Sequence, residues 1–79
     1  MQLNKAVSYR ISQLMAEHGY TQYKLFTNTG LSKATVSNLV NCRYESVNTK
    51  TLHVICQGFG ITLAEFFNSP MFSNENLDP

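Results

Sequence analysis

Between Lys5 and His18 the apolar residues Val7, Ile11, Leu14 and Met15 recur at i, i+4, i+7 and i+8, one helical face, and Gly19 supplies a stop. This predicts helix one. Thr21 can cap a second helix that starts at Gln22, carries Leu25 inward and ends near Asn28 and Thr29. Gly30 then permits a tight left-handed turn. Ser32 is the next cap, and Val36, Leu39 and Val40 form the buried stripe of a short third helix running to about Asn41.

From Cys42 to Asn48 the pattern loses its period, and the mixture of polar and aromatic residues reads as a loop. Thr49 is expected to cap a fourth helix in which Leu52, Ile55, Cys56 and Phe59 repeat at i, i+3, i+4 and i+7, with Gly58 and Gly60 as its end. Thr62 and Glu65 make a capping box for a fifth helix bearing Leu63, Phe66 and Phe67, and Pro70 lies just beyond it. No stretch alternates as a strand does, so the class is all-α: a domain over residues 1–69, then a polar tail over 70–79 that is expected to fray unless a partner holds Met71 or Phe72.

Composition narrows the chemistry. With 79 residues and 43% apolar content the chain can build one modest core, so a second subunit covering leftover apolar surface would add stability. Cys42 and Cys56 match no metal-ligand spacing, and His18 and His53 stand alone, so no metal or other cofactor is expected. Cys56 reads as a small core residue and Cys42 as a free thiol. There is no Ser/His/Asp set, no suitable pair of carboxylates and no glycine-rich phosphate loop, which argues against an enzyme and gives no reason to expect a small-molecule ligand. Without an apolar signal core or a membrane-length apolar run, the expected setting is a reducing cytoplasm, away from membranes.

The net charge of +1 says little, but its distribution says more. Residues 1–44 hold Lys5, Arg10, Lys24, Lys33 and Arg43 against Glu17, a net +4, whereas residues 45–79 hold Lys50 against Glu45, Glu65, Glu75 and Asp78, a net −3. A basic front half fits an anionic partner, although a solvated surface would tolerate the same asymmetry.

Thr21-Gln22-x-x-Leu25, Gly30-Leu31-Ser32 and Val36-Ser37-x-Leu39 together resemble the helix-turn-helix of the phage-repressor family (Xre, or Cro and repressor). The stretch from Thr51-Leu52 through Ile55-Cys56, Phe59-Gly60-Ile61-Thr62-Leu63 and Glu65-Phe66-Phe67 is similar to the helices that follow the motif in short bacterial regulators of that family. The resemblance covers roughly residues 5–68 and implies a five-helix, lambda-repressor-like domain with the motif in helices 2 and 3. Its implied partner is double-stranded DNA, bound as a transcription regulator. With Val36, Leu39 and Val40 inward, the third helix exposes Lys33, Ala34, Thr35, Ser37, Asn38 and Asn41; of these, Lys33, Ala34, Thr35, Ser37 and Asn38 are the expected base readers in the major groove. Asn38 can pair bidentately with adenine. The alternative is that these are ordinary solvated helix residues. Gln22 resembles the family glutamine that bonds the DNA backbone, and Lys24, Asn41, Arg43 and Tyr44 are further phosphate candidates. For Lys5 and Arg10, a solvated face and a distant phosphate contact stand level.

The same reading expects a homodimer on a near-palindromic operator, acting as a repressor. Phe66, Phe67, Met71 and Phe72 are its candidate interface, because so short a fifth helix would struggle to bury both phenylalanines and the tail; their burial within the monomer stays open. Two positions depart from the family pattern. Phe26 stands where alanine is usual at the close approach of the two helices, so it must point aside or the packing must differ. Asn41-Cys42 stands where glycine is frequent, and either residue could take the left-handed conformation. The rival function keeps the fold and gives the third helix a protein partner, as in an antitoxin-like or accessory subunit.

Overall fold

The computed structural model describes residues 1–79 as five helices: α1 (Leu3–His18), α2 (Gln22–Thr29), α3 (Lys33–Val40), α4 (Thr49–Phe59) and α5 (Leu63–Phe67). A 3-10 turn at Pro70–Phe72 follows them. Three helices end on glycines in the left-handed region, Gly19, Gly30 and Gly60. Four begin on a side-chain cap, and α5 carries the full Thr62/Glu65 capping box. The cap of α4 is Asn48 and not Thr49: Asn48 Oδ1 accepts from the Thr51 N–H at 2.7 Å, and Thr49 is the first helical residue.

All five helices contribute to one core. Val7, Ile11 and Leu14 come from α1, Leu25 from α2, Val36 and Leu39 from α3, Leu52, Ile55, Cys56 and Phe59 from α4, and Phe66 from α5. Gly58 is not a stop signal but a buried helical residue. A Cβ there would lie 2.6 Å from Thr29 Cγ2, so its missing side chain is what lets α4 nest against the end of α2.

Polar atoms fix the other junctions. Inside the α1–α3 contact, the buried Ser8 hydroxyl donates to the Leu39 carbonyl at 2.6 Å and lies 2.7 Å from the Tyr44 hydroxyl. Tyr44 in turn donates to the Asn4 carbonyl at 2.7 Å, while Asn4 Nδ2 donates to the Tyr44 carbonyl at 3.1 Å. Arg10 donates through Nε to the Phe66 carbonyl at 2.8 Å and through a terminal nitrogen to the Glu65 carbonyl at 3.0 Å. A cation thus caps the end of α5, bonding the Phe66 carbonyl and sharing the Glu65 carbonyl with the Asn68 N–H.

The tail is held down against the expectation of fraying. Phe72 packs against Phe66 and Phe67, with ring centroids 5.9 and 4.9 Å away. Beyond it, Asn76 Nδ2 bonds the Pro70 carbonyl at 2.7 Å, and the Asp78 N–H reaches the Met1 carbonyl at 2.9 Å. One aromatic anchor and a few backbone acceptors supply what the polar composition does not.

Candidate nucleic-acid interface

The α2–turn–α3 unit is built to hold α3 at a fixed angle with one face outward. Thr21 Oγ1 accepts from the Lys24 N–H at 3.1 Å, and Ser32 Oγ from the Thr35 N–H at 3.1 Å, so both helices start on a satisfied donor. Between them Gly30 takes φ 73°, and Thr29 Oγ1 donates to the Leu25 carbonyl at 2.8 Å while accepting from the Leu31 N–H at 3.2 Å. Leu25 and Val36 are wholly buried and pin the helices from inside. What remains outward on α3 is Lys33, Ala34 and Asn38, exposed, with Thr35 and Ser37 half-buried beside them and Asn41 exposed just past its end.

On one flank of α3 a groove of about 320 Å³ is lined by Gln22, Tyr23, Phe26, Lys33, Val36 and Ser37. Phe26, half-buried, lines it and packs against the edge of the core, so at that departure from the family pattern the ring lies to one side of the α2–α3 contact. The Lys33 ammonium sits 5.5 Å above that ring. Across the helix, Thr35, Asn38, Arg43 and Tyr44 line a depression of about 200 Å³ that runs to the start of α4.

At the exit of α3 the left-handed residue is Cys42, with φ 55°. The Arg43 N–H then bonds the Asn38 carbonyl at 2.9 Å, the long bond of a Schellman turn. This reversal sends the Arg43 side chain back along α3, where Nε donates to Asn38 Oδ1 at 3.3 Å and a terminal nitrogen donates to Ser37 Oγ. Asn41 Nδ2 bonds the Ser37 carbonyl at 2.9 Å and Ser37 Oγ at 3.3 Å.

The expected site residues therefore separate. Lys33, Ala34, Thr35, Ser37 and Asn38 share the outward side of α3, and Gln22, Lys24, Asn41 and Arg43 are exposed around it. Tyr44, half-buried, lines the depression beside Asn38 and Arg43, while its hydroxyl is engaged by Ser8 and Asn4 in the α1 junction. Burial pushes its phenol above the ordinary value; the Ser8 hydrogen bond pulls it partly back and Cys42 adds to the rise. Arg10, engaged on α5, is a structural cation. Phe66, one of the four expected interface residues, is fully buried beneath Phe67 and Phe72, because the folded-back tail completes the pocket that α5 alone could not close. Phe67 is 41% exposed, and Met71 and Phe72 are half-buried.

Two features escape the sequence reading. The contact of Arg43 with the side chains of α3 depends on the conformation of Cys42, which spacing does not encode. The second is the freedom of the front-half cations. The ion pair of the fold joins the Met1 ammonium to Asp78, so Lys5, Lys24, Lys33 and Arg43 face no carboxylate. No helix is long and apolar enough to cross a membrane.

Known proteins resemble the chain in this region and beyond it. The family profile of the Cro/C1-type HTH DNA-binding domain matches residues 10–70. The crystal structure of the prophage Lp1 protein 11 superposes with a TM-score of 0.80 at 24% identity, over 94% of this chain and 99% of that one. That likeness is one of fold. No curated protein sequence matches.

Proposed function

This chain belongs to the family of Cro/C1-type helix-turn-helix DNA-binding domains, and we propose that it is a sequence-specific repressor that binds a near-palindromic operator as a homodimer. The observation that carries this reading is the presentation of α3. Its inner face is pinned by Val36 and Leu39, which leaves Lys33, Ala34, Thr35, Ser37 and Asn38 on the outward side, available to base edges in a major groove about 12 Å wide. Gln22, Lys24 and Asn41 surround that helix and supply phosphate contacts, which set register without reading sequence, and Arg43 adds to them the terminal nitrogen that its bonds to Ser37 and Asn38 leave free. The unpaired state of the front-half cations supports the assignment, since neutralising phosphates with them breaks no internal ion pair.

For the dimer, the exposed side of Phe67 together with Met71, Phe72 and the 37%-exposed Leu63 offers an apolar surface on α5 and the tail. In a dimer joined there, two α3 helices about 34 Å apart would match successive major grooves on one face of the duplex, and the bound dimer would block access to the promoter. Selection from a random-sequence duplex library with the purified chain tests the proposal. Enrichment of a near-palindrome with half-sites about 10 base pairs apart is the expected result. An unenriched pool contradicts it.

A further inference from the structure

The side chains on α3 do not present their hydrogen-bonding groups evenly. A guanidinium has only donors, so the Asn38 atom that faces Arg43 Nε at 3.3 Å must be the carboxamide oxygen. This fixes the orientation of the amide: Oδ1 is turned toward Arg43, and Nδ2 has no partner within the protein. Ser37 is constrained in the same sense. Its hydroxyl has two acceptor sites and one proton, and both sites are taken, one by Arg43 and one by Asn41 Nδ2 at 3.3 Å. Only the proton is left to offer. With the Lys33 ammonium and Asn38 Nδ2, donors predominate on this side; the acceptors left are the second lone pair of Asn38 Oδ1, beside the guanidinium, the Thr35 hydroxyl and, past the end of the helix, the Asn41 carboxamide oxygen.

We propose that Arg43 is a specificity-determining positioning residue: by taking one acceptor site of Ser37 and one lone pair of Asn38 Oδ1, and by setting its charge beside the other lone pair, it makes α3 a donor-rich surface that selects guanine. In the major groove guanine offers two acceptors, N7 and O6, whereas adenine and cytosine each present an amino donor. The inference rests on the DNA-binding reading and refines it. An asparagine free to use both amide atoms favours adenine, giving to N7 and taking from the N6 amino group. With the Arg43 guanidinium on one lone pair of Oδ1 and its positive charge beside the other, an adenine amino donor is disfavoured there and a guanine O6 acceptor favoured, so guanine replaces adenine as the preferred partner. The cause lies in the backbone: left-handed Cys42 sends Arg43 back over α3, where a regular helical exit would carry it away.

Binding-site selection with the full chain and with Asn38→Ala, Arg43→Ala and Arg43→Lys tests this, with circular dichroism as a check that each variant is folded. The base pair read by Asn38 is the one whose preference is lost in Asn38→Ala, and in the unmodified chain it should be guanine. Arg43→Ala should lower the guanine-over-adenine ratio there roughly tenfold. Arg43→Lys keeps the charge but lacks the fork that spans Ser37 and Asn38, so it should relax the same base pair while leaving the salt dependence of binding unchanged. Adenine at the Asn38 position, no position sensitive to Asn38→Ala, or an unchanged base profile in both Arg43 variants overturns the proposal and leaves DNA binding standing. Absence of saturable, salt-sensitive binding by the unmodified chain overturns both.

Discussion

The Lys33 ammonium lies 5.5 Å above the Phe26 ring, so an expected base reader at the start of α3 is held by an aromatic residue of α2. Both also line the groove that contains Gln22. An exposed cation–π contact of this kind contributes about 0.5–1 kcal/mol, enough to narrow the range of a flexible side chain but not to fix the fold.

Phe26→Leu keeps an apolar side chain and removes the ring face. It should weaken binding to the selected operator by about twofold to fivefold, with the folding midpoint nearly unchanged. Lys33→Ala should cost roughly 1–3 kcal/mol on that operator and relax one base position. In the double variant the Phe26→Leu effect should vanish, because its only route is through Lys33. Fluorescence anisotropy on the selected duplex and a one-base variant measures all three; additive effects would show that Phe26 acts by another path.

Gly58→Ala should destabilise the fold by about 1–3 kcal/mol although alanine is the better helix former, because the new Cβ would lie 2.6 Å from Thr29 Cγ2. Thr29→Ser removes that methyl and keeps the hydroxyl that bonds the Leu25 carbonyl and the Leu31 N–H. Adding it to Gly58→Ala should restore most of the loss. Urea midpoints at constant m-value give the comparison; a Gly58→Ala chain as stable as the unmodified one would contradict the close approach of α2 and α4.

The two aromatic neighbours on α5 should behave differently. Phe66→Ala empties a fully buried site and should cost about 3–5 kcal/mol, a large part of the stability of so small a domain. Phe67→Ser, at a position already 41% exposed, should leave the monomer folded and weaken self-association, read by sedimentation. A strictly monomeric unmodified chain at high concentration would rule out the dimer.

Stability should fall at alkaline pH for two reasons. Burial pushes the Cys56 thiol above its ordinary value of 9.0, with the Arg10 charge pulling it partly back, and burial likewise raises Tyr44 above 10.0. Each group holds its proton more tightly folded than unfolded. The stability that each contributes is therefore complete below its unfolded value and is lost as pH rises through its folded value. Urea midpoints should not fall on this account up to about pH 9 and should decline above it. Tyr44→Phe should be less stable at neutral pH, having lost its bonds to Ser8 and Asn4, and should show a shallower alkaline decline. In the native chain a thiol reagent should modify half-buried Cys42 and leave Cys56 for the unfolded state.

Much of this was legible in the sequence because it depended on local signals. Thr21, Ser32 and Thr62 each precede an apolar stripe and cap it as expected, and the core positions of α1, α3 and α4 follow from the helical period. The side of α3 that faces outward was legible for the same reason. What was not legible depended on contacts between segments distant along the chain. Gly58 looked like a terminator because only the position of Thr29 reveals the close approach. Arg10 read equally as a solvated cation or a distant phosphate contact, because its carbonyl partners lie 55 and 56 positions away. Phe66 stayed open between an interface and the core because the return of Phe72 over it cannot be read from a polar tail. The cap at Asn48 was displaced by one residue, since asparagine and the threonine after it are both competent caps.

The central claim is that this chain reads a DNA sequence through α3, and a titration of the selected operator duplex against a scrambled duplex tests it most directly. The affinity for both should fall about tenfold or more as salt is raised from about 50 to 200 mM. The operator should remain preferred by roughly a thousandfold or more, and Lys33→Ala should reduce only that preference. Equal affinity for the two duplexes, or no saturable binding at low salt, would contradict it and favour a protein partner for the same helix.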